Sequence, residues 1–247
     1  RLKSLRSALR SYTDSQKIDY ANFKKLFKLN HALIEKALKK DLMIPDFKCF
    51  CEEIESIYKD LLLLKDGKVA DYIPQLQKVD PDLFAISICT VDGQQYHIGD
   101  YKKTFSAQST CKPINYCMAL KENGENKVHQ FIGREPSGHG FNELTLNSDH
   151  RPHNPMINSG AIISCALIGS GNSNSSRFES VLDCWGDLTG GSKVGFDNSV
   201  YLSERETSDR NYALGYFMKE QGAFPENAKL KDVLNFYFQC CSVELDV

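Results

Sequence analysis

The chain has no run of apolar residues close to the roughly 20 that a membrane-spanning helix needs. The run from Leu61 to Leu64 is ended at once by Lys65 and Asp66. Charge of one sign is not in excess either, because 30 Lys and Arg stand against 32 Asp and Glu, a formal net charge of −2. Without a basic field, the composition offers nothing to attract nucleic acid or anionic lipid. We therefore expect no nucleic-acid or membrane partner. The composition is compatible with binding of small neutral or zwitterionic ligands.

The cysteines lack the spacing of a disulfide framework or a zinc site. There are nine of them, an odd number, with no paired CxxC spacing and no companion histidine cluster. Such usage favours reduced thiols in an intracellular compartment, and we predict no metal site.

The first 65 residues are patterned as helices. Leu2, Leu5 and Leu9 share one face, and apolar residues recur at helical spacing through Phe47 to Leu64. The segment from Asp14 to Tyr20 is EF-hand-like but lacks the acidic ladder and central glycine, so we predict no calcium there. The chain begins at Arg1, which suggests a processed or cut product. Its Arg- and Ser-rich start fits a mitochondrial presequence, but an amphipathic first helix is the favoured interpretation.

From residue 66 onward the pattern changes to mixed strands and helices. Leu83 to Thr90 and Gln95 to Gly99 flank Asp92-Gly93, which predicts an antiparallel hairpin. Further helices are predicted in the second half of the chain, at 109–120, 158–168, 177–188, 211–220 and 230–241. The stretch from 133 to 155 is rich in Gly, Pro, Asn and His and predicts a long surface loop. The predicted domains are a helical region at 1–65 and a catalytic domain at 66–247.

A Ser-x-x-Lys motif at Ser109 and Lys112 is the strongest chemical signal. It places a hydroxyl and an amine one helical turn apart, so a neutral lysine can take the serine proton. The same pattern occurs at Ser56 and Lys59, but within a charged helical stretch where serine is expected on the solvated face. Ser109 instead follows a predicted hairpin at a helix start, beside Pro113, which is tolerated near a first turn. Context therefore favours Ser109 as the nucleophile.

Several segments, in their order along residues 68 to 245, resemble the phosphate-activated glutaminase family, in particular its kidney and liver types in animals. They are KVADYIPQL (68–76), VDGQ (91–94), QSTCKP (108–113), EPSG (135–138), HNPMINSGAI (153–162), SERETSDRNYALGY (203–216) and NFYFQCCS (235–242). The resemblance implies an α/β catalytic domain of the serine β-lactamase or penicillin-binding-protein type, beside a helical, EF-hand-like N-terminal region.

The resemblance also implies a set of site residues. It assigns catalysis to Ser109, Lys112, Tyr72 and Tyr237, and glutamine binding to Tyr72, Ser109, Asn158, Glu204, Asn211 and Tyr237. Glu204 can pair with the substrate α-ammonium, and the two asparagine amides can meet its carboxylate and side chain.

Structural alternatives exist for several of these residues. Asn158 could cap a helix, Tyr237 could be a core aromatic, and Glu204 could lie in a solvated charged turn. Their joint order beside Ser109 favours the site.

Two features depart from the family pattern. The family continues well beyond the position of Val247 with a further site tyrosine, a Lys-Ser-Gly motif and the remaining strands, so we expect the C-terminal part of the catalytic domain to be absent. The loop from Phe141 to Leu146 has Thr145 where kidney-type relatives carry an aromatic residue.

The leading hypothesis is hydrolysis of L-glutamine to L-glutamate and ammonia through a Ser-Lys acyl-enzyme. It needs no metal or organic cofactor, and inorganic phosphate is a possible activator by resemblance. The resemblance also implies a mitochondrial location and a homo-oligomer, from dimer to tetramer. Two alternatives remain: an inactive fragment that serves as an assembly or interaction module, and another Ser-x-x-Lys amidase or β-lactamase-like hydrolase.

Overall fold

A computed structural model describes residues 18–192 and 194–246 of the chain. The described residues divide into two units, one of residues 18–67 and 82–101 and the other of residues 68–81 and 102–246. The hairpin thus belongs to the same unit as the N-terminal helices. The domain boundary after residue 65 stays a prediction.

The helices of the first unit begin where an aspartate can cap them. Helix α1 spans Tyr20–Leu38 and α2 spans Phe47–Leu61. The Asp19 carboxylate accepts the backbone N–H of Asn22 at 2.7 Å, and Asp46 accepts that of Cys49 at 3.1 Å. Each contact satisfies one of the backbone donors that a helix start leaves without an intrahelical partner.

The EF-hand-like description of this region is not supported. Residues 14–17 of the segment that suggested it lie outside the described residues, as do the apolar positions of the predicted first helix. What the structure shows from residue 18 to residue 67 is helix joined by turns.

The predicted hairpin is present. Strand β1 (Ala85–Cys89) pairs antiparallel with β2 (Gln95–Gly99), with Ile86 opposite Ile98. Gly99 has φ +80°, and a β-carbon there would lie 2.2 Å from the Phe84 carbonyl oxygen and 2.6 Å from the Tyr58 hydroxyl. Only glycine fits this close approach without rearrangement.

The second unit is built around a buried helix. After the short helix α3 (Pro74–Gln77), the chain forms α4 (Cys111–Asn123), α5 (Glu125–Val128), α6 (Asn158–Leu167), α7 (Asn174–Leu188), α8 (Asn198–Glu206), α9 (Asp209–Glu220) and α10 (Leu230–Cys241). Every residue of α6 from Ser159 to Leu167 is buried. Helices α4, α9 and α10 all pack against it. Such a fully buried helix explains the dense small and apolar sequence from 158 to 168.

A three-stranded sheet completes this unit. Strand β5 (Val243–Leu245) lies between β3 (Phe105–Ser106) and β4 (Gly195–Phe196), antiparallel to both. These strands have two or three residues each, and the sequence pattern did not predict them. The sheet matters for the site because β3 leads directly into the turn that carries Ser109.

Among the described residues, no helix is both long and apolar enough to span a membrane.

Candidate active site

The turn that carries Ser109 joins a strand to a helix. After β3, a 3-10 turn at Gln108–Thr110 leads into α4, and the Ser109 side chain is exposed. Gln108 has φ +45°, in the left-handed region that side-chain-bearing residues seldom adopt. Ser109 therefore lies at a sharp change of chain direction, where its hydroxyl is open to an incoming molecule.

Lys112 lies on the first turn of α4 and is only 5% exposed. Its Nζ donates a hydrogen bond to Asn158 Oδ1 at 2.8 Å and lies 5.8 Å from the centroid of the Phe141 ring. Burial lowers the pKa of this ammonium below its usual value, and the nearby thiols of Cys241 and Cys111 oppose the shift only in part. A lysine in these surroundings is suited to lose its proton and act as a base.

The expected pairing of Ser109 with Lys112 is not formed as a direct hydrogen bond. Among the residues that the structure describes, the ammonium donates to Asn158, and Ser109 Oγ has no side-chain partner. The second Ser-x-x-Lys motif has different surroundings, because Ser56 is exposed and the Lys59 ammonium pairs with Glu55 at 2.7 Å.

Two asparagine amides extend the contact that Lys112 makes. Asn158, the first residue of α6, donates from Nδ2 to Asn211 Oδ1 at 3.0 Å. Its backbone N–H donates to the Phe141 carbonyl at 2.8 Å. Because Asn211 receives this bond on its oxygen, its amide nitrogen is left to donate to another group.

A close approach of the preceding loop fixes the start of α6. A β-carbon on Gly160 would lie 1.9 Å from the Asn154 carbonyl oxygen and 2.9 Å from the Pro155 α-carbon. The loop can cross the helix only because residue 160 lacks a side chain. In this way the sequence HNPMINSGAI places Asn158 beside Lys112.

Glu204 is a buried carboxylate on α8, 8% exposed. Its Oε1 is buried and, within the described part of the chain, has no hydrogen-bond partner. Burial raises the pKa of this carboxyl group, and the nearby Tyr72 hydroxyl opposes that shift. A buried carboxylate oxygen without a partner is costly, and a cationic group of a ligand would offset that cost.

Tyr72 donates its hydroxyl proton to Gln108 Oε1 at 2.8 Å. Removal of the hydroxyl from water and, after that, the Glu204 carboxylate raise the pKa of Tyr72 well above its usual value. The Tyr72 residue as a whole is 57% exposed. Glu204 perturbs this pKa as a hydrogen-bonding neighbour would, but the phenol has one proton and its hydrogen bond in the structure is to Gln108, so we assign the proton to Gln108.

Tyr237 lies in the interior of α10, 4% exposed, among thiols. Burial and then the neighbouring Cys241 and Cys111 raise its pKa well above the usual value. The phenol therefore stays protonated. Cys111 Sγ and Cys241 Sγ lie 3.9 Å apart, so these thiols join α10 to the residue before Lys112.

The structure thus connects most of the predicted site residues. Lys112, Asn158 and Asn211 form one hydrogen-bonded chain, and Tyr72 and Glu204 perturb each other's pKa. The thiols of Cys241 and Cys111, which contact each other, contribute to the raised pKa of Tyr237. Gln108 was missed as an individual residue by the sequence analysis, and its place directly before the predicted nucleophile is the signal that could have found it.

Comparison with known proteins gives consistent results. A glutaminase family model matches residues 67–247. The mitochondrial liver isoform of glutaminase from Rattus norvegicus is 42% identical over 228 residues, 92% of this chain. Glutaminase 2 from Clostridium perfringens is 40% identical over 186 residues, 74% of this chain. A solved structure described as Probable glutaminase ybaS superposes with a TM-score of 0.73 at 29% identity, over 79% of this chain and 63% of that one.

The chain spans 38% of the rat relative's length and 60% of the Clostridium relative's. The solved glutaminase structures have the serine β-lactamase-like α/β fold, and residues of this chain superpose on that fold.

Proposed function

Because the chain belongs to the glutaminase family, we propose that it contributes the nucleophile and most of the substrate contacts for hydrolysis of L-glutamine to L-glutamate and ammonia. One observation carries the proposal furthest. Lys112 is buried one helical turn after the exposed Ser109, and burial lowers its pKa, as a base for that serine requires.

The proposed reaction proceeds through an acyl-enzyme. Lys112 takes the Ser109 proton while Oγ attacks the carbon of the glutamine side-chain amide. The tetrahedral intermediate collapses as the C–N bond breaks, and the leaving nitrogen receives the proton that Lys112 took from Ser109 and departs as ammonia. The neutral Lys112 then deprotonates a water molecule, which attacks the ester between Ser109 and the glutamyl group. As that ester bond breaks, the proton passes from Lys112 to Ser109 Oγ, and glutamate is released. Ser109 and Lys112 supply the nucleophile and the base in these steps, and we propose that the reaction uses no metal or organic cofactor.

Before that transfer, Lys112 must leave its contact with Asn158. Its Nζ donates to Asn158 Oδ1 at 2.8 Å. We propose that glutamine, by bonding to the Asn158 amide, frees the lysine to face Ser109. Binding of substrate and activation of the base would then be one event.

The remaining site residues supply recognition. The buried Glu204 oxygen without a partner is suited to the α-ammonium of glutamine, and the Asn211 amide nitrogen is suited to donate to a carboxylate oxygen. The protonated hydroxyl of Tyr237 is suited to donate to the amide, whereas Tyr72 donates its proton to Gln108 and offers the substrate an acceptor oxygen. An amino acid without one of these groups would leave a buried polar atom unpaired, which disfavours its binding.

We extend the proposal to three properties that come from relatives. The mitochondrial name of the rat liver isoform supports a mitochondrial location, although a bacterial glutaminase also matches. Assembly into a homodimer or homotetramer and activation by inorganic phosphate are expected from the family.

The test is glutamate release from glutamine, measured with this 247-residue chain and with a version extended at its C terminus, each with and without phosphate. Ser109→Ala should abolish turnover and leave glutamine binding and folding close to those of the parent. Ser56→Ala is the matched control and should leave turnover unchanged. Retained ammonia release by Ser109→Ala would contradict the mechanism, whereas inactivity of both folded parents would favour an interaction module.

A further inference from the structure

Gln108 uses both ends of its side-chain amide. Its Oε1 accepts the Tyr72 hydroxyl proton at 2.8 Å, and its Nε2 donates to Ser106 Oγ at 3.1 Å. Ser106 Oγ in turn donates to the Cys241 carbonyl at 3.0 Å. A continuous line of hydrogen bonds therefore runs from Tyr72 to the backbone at the end of α10.

The direction of this line is fixed by its last member. A backbone carbonyl can only accept a hydrogen bond, so the Ser106 hydroxyl must donate its proton to the Cys241 carbonyl oxygen. The Ser106 oxygen must then accept from Gln108, which turns the amide nitrogen toward Ser106 and the amide oxygen toward Tyr72. Tyr72 has one proton, and that proton is committed to Gln108.

The alternative acceptor for that proton is Glu204. Its carboxylate is close enough to Tyr72 for each group to alter the pKa of the other. A carboxylate is a stronger acceptor than a neutral amide. Yet Glu204 Oε1, buried on α8, has no partner among the described residues.

Backbone conformation does not explain why a glutamine stands at this position. The φ of +45° would be adopted with less strain by glycine or asparagine. The hydrogen-bonding line does explain it, because the amide must be long enough to reach Tyr72 while its other end is held at Ser106.

We propose that Gln108 is a positioning residue that holds the Tyr72 proton away from Glu204 and so keeps that carboxylate free for the substrate ammonium. The inference rests on the proposed glutaminase function. Without the Gln108 oxygen, Tyr72 turns its proton to Glu204, and glutamine must displace that bond before its ammonium can bind.

A double-mutant cycle tests this inference in whichever polypeptide hydrolyses glutamine. The variants are Gln108→Met, Tyr72→Phe and the two combined, with thermal unfolding measured for each. We expect Gln108→Met to raise KM for glutamine about tenfold, the cost of a lost charge-assisted contact, while kcat changes less than about threefold. In the Tyr72→Phe background no proton can reach Glu204, so the same substitution should change KM less than about twofold.

Gln95→Met, on an exposed position of β2, is the matched control and should leave both constants unchanged. If Gln108→Met does not fold, the cycle is repeated with Gln108→Asn, which suits a left-handed backbone but is one methylene too short to reach Tyr72. An equal rise of KM in both backgrounds, or an unchanged KM in the single variant, overturns the inference and leaves the proposed function standing. A parent that hydrolyses no glutamine overturns both.

Discussion

Under the proposed mechanism, replacement of Asn158 by aspartate should change the pH at which glutamine hydrolysis appears. The Asn158 oxygen lies 2.8 Å from Lys112 Nζ, and the ammonium is almost fully buried. The substitution keeps the size and the acceptor oxygen but adds a negative charge. That charge favours the protonated lysine, which cannot act as a base.

The size of the effect follows from the distance. Two unit charges 2.8 Å apart interact by about 6 kcal/mol at an effective dielectric constant of about 20, which corresponds to about four pKa units. The new carboxylate must also lose hydration, which offsets part of this gain. We therefore expect the pKa of Lys112 to rise by about 1–3 units, the usual range for a charge in direct contact with an opposite one.

The assay is the dependence of kcat/KM on pH, whose acid limb reports the base in the free enzyme. Activity appears as pH rises through the pKa of Lys112, so the acid limb of Asn158→Asp should move to higher pH by about 1–3 units. At a pH on the acid limb of the parent, its kcat/KM should be about 10- to 1,000-fold lower than that of the parent, and it should recover in part as the pH is raised.

Two control variants distinguish the effect of the added charge from the effect of a lost substrate contact. Asn158→Ala removes the acceptor without adding charge, so it should lower kcat/KM without moving the acid limb upward. Asn211→Asp places the charge one amide further from Lys112 and should produce a smaller upward shift. An acid limb in Asn158→Asp that coincides with that of the parent would refute Lys112 as the titrating base.

Two further predictions concern Glu204 and Arg177. Because burial raises the pKa of Glu204, this carboxyl group gains its proton at a higher pH than an ordinary carboxyl group does, and KM for glutamine should rise as the pH falls through that range. Glu204→Gln should raise KM by about 10- to 150-fold and remove this pH dependence. A KM equal to that of the parent would exclude the contact between Glu204 and the ammonium group. The buried Arg177 guanidinium donates to the carbonyls of Ile168 and Cys165 at 2.9 and 2.5 Å and lies 4.1 Å from the centroid of the Phe236 ring. Arg177→Met should therefore lower the free energy of unfolding by about 2–4 kcal/mol in denaturant titrations without changing KM. As a control, Arg205→Met replaces an exposed arginine and should change the free energy of unfolding little.

Local signals in the sequence predicted most of the regular elements. The hairpin was predicted because apolar strands flank Asp92-Gly93, and a turn of that kind depends on neighbouring residues alone. Helices α6, α9 and α10 were predicted within one or two residues of their ends, α6 from its density of small and apolar residues.

Elements that depend on distant partners could not be predicted in this way. Strands β3, β4 and β5 are too short to show an alternating pattern, and their hydrogen bonds join remote segments. Glu204 lies in a segment whose charged composition predicts exposure to solvent, and only the packing of α8 buries its side chain. The left-handed conformation of Gln108 has no sequence signal, because glutamine does not favour it.

The placement of β3 against β5 also governs when the site can form during folding. Thr104 and Glu244, beside this strand pair, are hydrogen-bonded across 140 residues, and Ser106 and Cys241 across 135. Contacts of such large sequence separation carry a high loop-closure entropy and tend to form late. During synthesis, the Ser109 turn acquires its supporting strand only after residues 243–245 have left the ribosome, so Ser109 is made well before the segment that aligns it.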